Sequence, residues 1–520
     1  MTTVRIAAGE IRGRHENALH SFKGIPYAEP LSGPARWLPP QPRKPWQGTL
    51  DAGRYGPRCM QFGQKAPGPF LPTRRRYFEA SGGLIRTPED DDCLRLNVWT
   101  PTLERGARLP VMVYIHGGGF VGGAADALYD AAPFAHKGVV AVVLQYRLGP
   151  PGFLHGSGLF DGDLCADNRG FLDQLAALRW VQENIEAFGG DPGKVTIFGE
   201  SAGAFSVYPL VASPLGKGLF RRAIAMGGMA ETCAPAADYH ALTRDVLQDI
   251  GVQAGKTEQL LALGKPALQR LQDAVSKRIF GRLASDRYGV ISHTRVPFLG
   301  AAIGGDFLPE APLAAYRRGT SNKVDLMLGT CGADGQLFSL ALPLPMSWSA
   351  RLFMRQFKGL MPAGDPAPLI RHYRHAMPDA SRTAVIEQVN NDTFYRMPTI
   401  AAAEAHAAGR TGHTYLYELE YQSAISGLRA IHAIDVALLF GSGPTRHLIH
   451  DDDATRRLSD LLLDAWTRFA RDGVPRASGM PEWPAFDSNG RATMVFDHQP
   501  RLEHDYGGSL RQYWATARRS

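Results

Sequence analysis

The pentapeptide Gly199-Glu200-Ser201-Ala202-Gly203 places a serine between two glycines, directly after the apolar run Val195-Thr-Ile-Phe198 and before Ala-Phe-Ser-Val-Tyr. A serine on so tight a strand-to-helix turn lifts its hydroxyl above a sheet, where only small neighbours fit. The N–H of Ala202 and the start of the following helix then face any negative charge that develops on a substrate oxygen. This is the chemistry of a nucleophilic serine. A second stretch, His116-Gly117-Gly118-Gly119-Phe120, follows the apolar run Val111–Ile115. Consecutive glycines let the backbone approach a ligand closely and aim N–H groups at it, the makings of an oxyanion hole. His116 itself is expected to prop that loop through hydrogen bonds.

A serine nucleophile needs a base, and the base needs a carboxylate to orient it. Around this turn the expected chain order is Ser, then Asp or Glu, then His. His413, His432, His447 and His450 all follow the serine, and spacing alone does not choose among them. Gly190-Asp-Pro-Gly193-Lys194 resembles part of a phosphate loop, but Phe188 stands where that motif needs its first glycine. Val195 also follows the lysine in place of Ser or Thr, so the segment reads as a turn.

The elements that must carry these residues are visible as short runs. Val111–Ile115, Val139–Leu144, Val195–Phe198, Val324–Leu328 and Thr414–Leu419 are nearly continuous apolar stretches, as strands buried on both faces of a parallel sheet read. Between them lie helical patterns. The clearest runs through Phe171, Leu175, Leu178, Val181, Ile185 and Phe188, with Gly189 as its stop. Pro209 should end or kink the helix after the serine. Strand and helix in alternation predict an open, doubly wound α/β sheet. Residues 234–286 read as a polar helical insertion. No repeat or linker marks a boundary, so residues 1–520 are expected to form a single domain.

Composition narrows the function classes. With 44% hydrophobic and 21% charged residues the 520-residue chain is globular in character, neither disordered nor fibrous. A net charge of +7 over this length is mild, and Arg74-Arg75-Arg76 and Arg456-Arg457 have no interleaved aromatic residues, so no nucleic-acid partner is expected. No run reaches the ~18 apolar residues of a membrane span, and the first 21 residues lack the apolar centre of a signal peptide. A cytoplasmic location is the expectation. Five cysteines without CxxC spacing imply neither a metal site nor a disulfide framework.

Over nearly its whole length the chain resembles the type B carboxylesterases, the cholinesterase-like branch of the α/β-hydrolases. Phe22-Lys-Gly-Ile-Pro-Tyr-Ala-Glu-Pro30 with Arg36-Trp-Leu-Pro-Pro40 is similar to the family's opening block, and Asp92-Cys-Leu-Arg-Leu-Asn-Val-Trp-Thr-Pro101 to its second signature. Phe198-Gly-Glu-Ser-Ala-Gly203, preceded by Asn168-Arg-Gly-Phe-Leu-Asp-Gln174, is similar to the active-site block. The resemblance implies an α/β-hydrolase fold with a large, mostly parallel sheet, flanking helices and helical insertions. It also implies serine ester hydrolysis through an acyl-enzyme, on a small-molecule ester, with no metal or organic cofactor. Amide or carbamate cleavage on the same machinery and a non-catalytic binding relative are the alternatives.

Carried over by residue, Ser201 is the nucleophile, and Gly329-Thr-Cys-Gly-Ala-Asp334-Gly-Gln-Leu-Phe338 places Asp334 at the acid. His432-Ala-Ile-Asp435, running on to Phe440, places His432 at the base, with Gly118, Gly119 and Ala202 as oxyanion donors. The chain departs from the family where Asp334 and Asp435 replace Glu, which leaves Asp306 and Asp435 as rival acids. Met226-Gly227-Gly228 replaces the family's usual Gln-Ser-Gly, a change expected to alter a polar spot near the site without touching the triad. Cys59 and Cys93 stand where secreted relatives close a loop with a disulfide; here they are expected to be thiols, or paired only on oxidation. Residues 60–92 lack the Trp of the family's choline site and contain Arg74-Arg75-Arg76, which would repel a cation. Neutral or acidic, partly aromatic esters are therefore the expected substrates.

Overall fold

The computed structural model describes residues 1–62, 72–80, 87–162, 164–281, 286–296, 299–441 and 443–517. Fifteen strands occur among them: β1 (Thr2–Ile6), β2 (Gly9–Glu16), β3 (Leu19–Pro26), β4 (Thr49–Asp51), β5 (Arg95–Thr100), β6 (Leu109–Ile115), β7 (Val140–Leu144) and β8 (Gly190–Glu200). They continue with β9 (Arg222–Met226), β10 (Cys233–Pro235), β11 (Ala301–Ile303), β12 (Asp325–Cys331), β13 (Thr414–Leu419), β14 (Ala492–Phe496) and β15 (Arg501–His504).

Thirteen of these form one sheet in the order β1-β2-β3-β5-β7-β6-β8-β9-β12-β13-β14-β15, with β4 beside β2. From β7 to β14 every neighbouring pair is parallel. The pairs outside this span are antiparallel, except that short β4 runs parallel to β2. The burial follows this division. All residues of β7, β9 and β13 are buried, whereas β1 and β2 alternate and leave one face to solvent. Outer strand β15 exposes Arg501 and His504 and carries half-buried Glu503 between them, a polar edge that discourages pairing with another chain.

Side-chain alternation along β6 divides the core into two layers. Val111, Val113 and Ile115 enter one apolar cluster, and Met112 and Tyr114 enter the other. The predicted helix covers the first face as Arg169–Asn184, continues as a tighter turn over Ile185–Phe188, and stops at Gly189 with φ 77°. Pro209 does not end its helix, which runs Ala202–Ala212; being eight residues into the helix, it removes one hydrogen bond without stopping the last turn. The 234–286 segment carries helices Ala236–Asp249, Thr257–Leu261 and Lys265–Phe280.

The order β7-β6-β8 is what matters for function. From β6 the chain turns to one side to make β7, then crosses to the other side to make β8. That reversal opens a crevice beyond the carboxyl ends of β6 and β8, the position where open α/β sheets bind ligands. His116–Phe120 and Ser201 are the first residues past those ends.

Candidate active site

Sterics shape the serine turn. Ser201 has φ 55° and ψ −120°, outside the left-handed helical well, a strain of order 1–3 kcal/mol that the surroundings must hold. Its N–H is tied to the Met226 carbonyl (3.0 Å) and its own carbonyl accepts from Phe205 (2.8 Å). A Cβ on Gly203 would lie 1.9 Å from the Ile115 oxygen, and one on Gly199 would lie 2.5 Å from the Gly203 carbonyl carbon. No side chain fits at either place, so the spacing of the pentapeptide is a packing requirement.

The glycine loop is built in the same way. Gly118 has φ 111°, and a Cβ there would lie 2.1 Å from the Gly122 oxygen. The Gly118 carbonyl accepts from Val121 (3.1 Å) and Gly122 (3.0 Å), which curls the loop. His116 is fully buried, with Nδ1 2.9 Å from the Gly117 oxygen. Its carbonyl accepts from the Tyr146 hydroxyl (2.7 Å) while the two rings stack. Burial lowers the His116 pKa to about 4, so the ring is a neutral prop, as expected from the sequence. Among the described residues, the N–H groups of Gly118, Gly119 and Ala202 have no acceptor within the protein.

Two further strand ends supply the polar side chains. Asp334, fully buried just beyond β12, sets Oδ1 2.7 Å from His432 Nδ1 and accepts the Cys331 N–H on Oδ2 at 2.7 Å. The shorter carboxylate thus reaches the imidazole and is braced by its own turn. The loops that carry the pair are joined by the Ala333 N–H donating to the Ala430 carbonyl (2.9 Å). Asp435 is buried but turns elsewhere: Val436 N–H donates to it at 2.8 Å and the Tyr417 hydroxyl at 3.3 Å. Asp306 is exposed. Of the four candidate histidines only His432 meets Asp334. His447 and His450 are exposed, and His413 pairs with Asp325 at the opposite end of β12.

One residue at the site escaped the sequence reading. Glu200, the variable position of the serine motif, brings Oε1 to 3.0 Å from His432 Nε2, though too far off line for a hydrogen bond. Its only sequence signal is adjacency to Ser201. His432 Nε2 is buried without a hydrogen-bond partner, so no hydrogen bond joins it to Ser201 in this structure. A Cβ on Gly117 would lie 2.7 Å from Glu200 Oε2 and 3.2 Å from Ser201 Cβ, so loop, carboxylate and serine meet at one point.

The electrostatics follow from burying three carboxyls around one imidazole. Burial raises the Glu200 pKa; His432 opposes this, and Asp435 and Asp334 add to it. Burial likewise raises that of Asp435, with Asp334 adding its repulsion. For His432 burial acts downward, but Glu200 and then Asp334 outweigh it and raise the pKa. Burial thus disfavours the charged forms of Glu200 and Asp435, while the neighbouring carboxyls favour the charged form of His432.

One expectation needs correcting. Gly227 does touch the triad region: a Cβ there would lie 3.3 Å from His432 Cε1 and 3.4 Å from Asp334 Oδ1. The reason is that β9 lies between β8 and β12, so its end lies between the serine and the acid. Cys59 and Cys93, expected as thiols or as a pair formed on oxidation, are joined as a disulfide with Cα atoms 5.0 Å apart. Backbone bonds from Arg58 to Pro88 (2.8 Å) and from Asp90 to Arg58 (3.1 Å) align the two segments.

A serine turn and a glycine loop at the switch point of a mostly parallel sheet, with an Asp–His pair on later strand ends, define an α/β-hydrolase. The profile of the carboxylesterase family matches residues 1–514, and the chain belongs to that family. It is a carboxylic ester hydrolase. It is 33% identical over 510 residues to the para-nitrobenzyl esterase of Bacillus subtilis (strain 168), covering 97% of this chain and 96% of that one. Carboxylesterase 1D of Mus musculus is 32% identical over 520 residues, covering 93% and 87%. Among solved structures, a Geobacillus stearothermophilus carboxylesterase superposes with a TM-score of 0.82 at 31% identity, over 99% of this chain and 100% of that one.

Proposed function

We propose that Ser201, His432 and Asp334 carry out the hydrolysis, with Gly118, Gly119 and Ala202 as the oxyanion donors. The observation that carries this reading is the Asp334–His432 hydrogen bond, made beside a strained serine and three N–H groups without protein acceptors. Ser201 Oγ attacks the ester carbonyl as His432 Nε2 takes its proton. Asp334 fixes the imidazole tautomer through Nδ1–H and stabilises the cation. The tetrahedral oxyanion is held by the three N–H groups. His432 then protonates the leaving alcohol, and water repeats the sequence on the acyl-enzyme to release the acid.

The substrates we propose are neutral or acidic esters with an aromatic part. Aromatic rings form an arc beside the triad: Phe120 to Phe205 (6.4 Å), Phe205 to Phe394 (6.2 Å), Phe394 to Tyr395 (5.1 Å), and Tyr395 to His432 (5.1 Å). Such a wall binds aryl groups by offset and edge contacts. The name of the para-nitrobenzyl esterase of Bacillus subtilis points the same way. Turnover of paired neutral aryl and alkyl esters, with a fluorophosphonate to label the nucleophile, tests the reading. Labelling at a serine other than Ser201 overturns the triad, and equal turnover of aryl and alkyl esters overturns the preference.

A further inference from the structure

The helix Pro72–Ala80 reaches the site from far away in the chain. Tyr77, only 2% exposed, donates its hydroxyl to the backbone carbonyl of His432 at 3.0 Å. One turn earlier, Arg74 donates Nε to the Leu340 carbonyl (2.6 Å) and Nη2 to that of Ala341 (3.2 Å). Those carbonyls end the helix Gln336–Leu340, which begins two residues after Asp334. A guanidinium on the last carbonyls of a helix satisfies acceptors that otherwise have no partner. One helix thus grips the backbone behind both the predicted base and the predicted acid.

The grip on His432 meets a strained residue. Ala433, next in the chain, has φ 67° and ψ 13°, left-handed without being glycine. Its Cβ disfavours this well, and rotation about its N–Cα bond swings the 432–433 peptide together with the His432 carbonyl. The Tyr77 hydrogen bond holds that same carbonyl. The Tyr77 hydroxyl remains a donor, because burial and then the charges of Glu200 and Asp334 oppose its ionisation.

We infer that Tyr77 is a positioning residue: its hydroxyl pins the 432–433 peptide against the strain at Ala433 and so keeps the His432 imidazole on Asp334 and beside Ser201. This rests on the triad proposed above. Tyr77 touches no reacting atom. Its removal should lower turnover while leaving substrate binding alone, and Arg74 anchors the helix that delivers it.

The test compares active enzymes, so a failure of the triad reading shows separately, as wild type without esterase activity or Ser201→Ala with full activity. Tyr77→Phe removes only the hydroxyl. Its kcat on an aryl ester, per folded molecule by near-ultraviolet circular dichroism, should fall on the order of tenfold, the effect of one lost buried hydrogen bond. KM should stay within about twofold, since only transition-state geometry is affected. The acid limb of kcat/KM should move to lower pH, because an imidazole loosened from Asp334 loses a contact that raises its pKa. Adding Ala433→Gly, which removes the strain, should return most of the lost kcat. An unchanged kcat in Tyr77→Phe overturns the inference. So does a loss carried by KM, or a double variant that recovers nothing.

Discussion

At the ends of β6 and β8 the backbone itself is the working part, whereas at the ends of β12 and β13 it is a platform for two side chains. The first region is confined by hard contacts. Ile115 O, Gly122 O and the Gly203 backbone leave no room for a Cβ at Gly203, Gly118 or Gly199. The second is held by directional bonds between residues far apart, such as His432 with Asp334, 98 positions away. A steric region tolerates almost no substitution at its glycines. A region of hydrogen bonds fails by degrees, according to which partner is removed.

The largest effect should come from the first region. Ser201→Ala should lower kcat on the order of 10⁶-fold, leaving what binding and the N–H groups supply alone, while the fold is retained. Titration with a fluorophosphonate and a melting curve check both halves of that statement; a variant within a hundredfold of wild type would mean another nucleophile.

Next come the two buried aspartates, which separate orientation from mere proximity. Asp334→Asn should cost about 10⁴-fold in kcat, because the amide favours the wrong imidazole tautomer. Asp435→Asn should stay within about tenfold, since its bonds go to Val436 and Tyr417 and not to the imidazole. Asp334→Glu should fall between the two. The reverse ranking of the Asn variants would move the acid to Asp435.

Glu200→Gln sharpens the electrostatic side of the contrast. Since Glu200 is the strongest of the influences raising the His432 pKa, its neutralisation lowers that pKa. The base must be unprotonated to act, so kcat/KM rises with pH through this value. The acid limb in the variant should therefore lie at lower pH than in wild type. An unshifted acid limb would show that Glu200 carries no charge in the free enzyme.

The smallest effect belongs to Gly227→Ser. The new Cβ would lie 3.3 Å from His432 Cε1 and 3.4 Å from Asp334 Oδ1, tight contacts that the imidazole relieves by yielding a few tenths of an ångström, and a left-handed φ of 63° costs about 1 kcal/mol without glycine. A melting temperature lower by about 2–4 °C with kcat within about threefold is expected. A hundredfold loss would show that the region of directional bonds is as sterically intolerant as the glycine turns.

How much of this was readable in the chain depends on the range of the forces involved. The parallel strands β6, β7, β8, β12 and β13, the helix stopping at Gly189, the serine turn and the glycine loop could be read directly, because each is set by neighbours within a few residues; the parallel strands β9 and β14 went unread. Resemblance to a family was needed for Asp334 and His432, since spacing left four histidines open and offered no acid. The antiparallel edge strands went unread, because β1 and β2 are half solvated and lack the long apolar runs of the centre. Glu200 on His432, Gly227 against the triad and Tyr77 on the His432 carbonyl belong to the tertiary structure alone. Nothing in the local sequence of these residues encodes a partner. The contacts exist because the strand order brings β8, β9, β12 and β13 side by side and sets their ends around one crevice. Local sterics are written in short stretches of sequence; the placing of charges and hydrogen bonds across long separations is decided only when the sheet closes up.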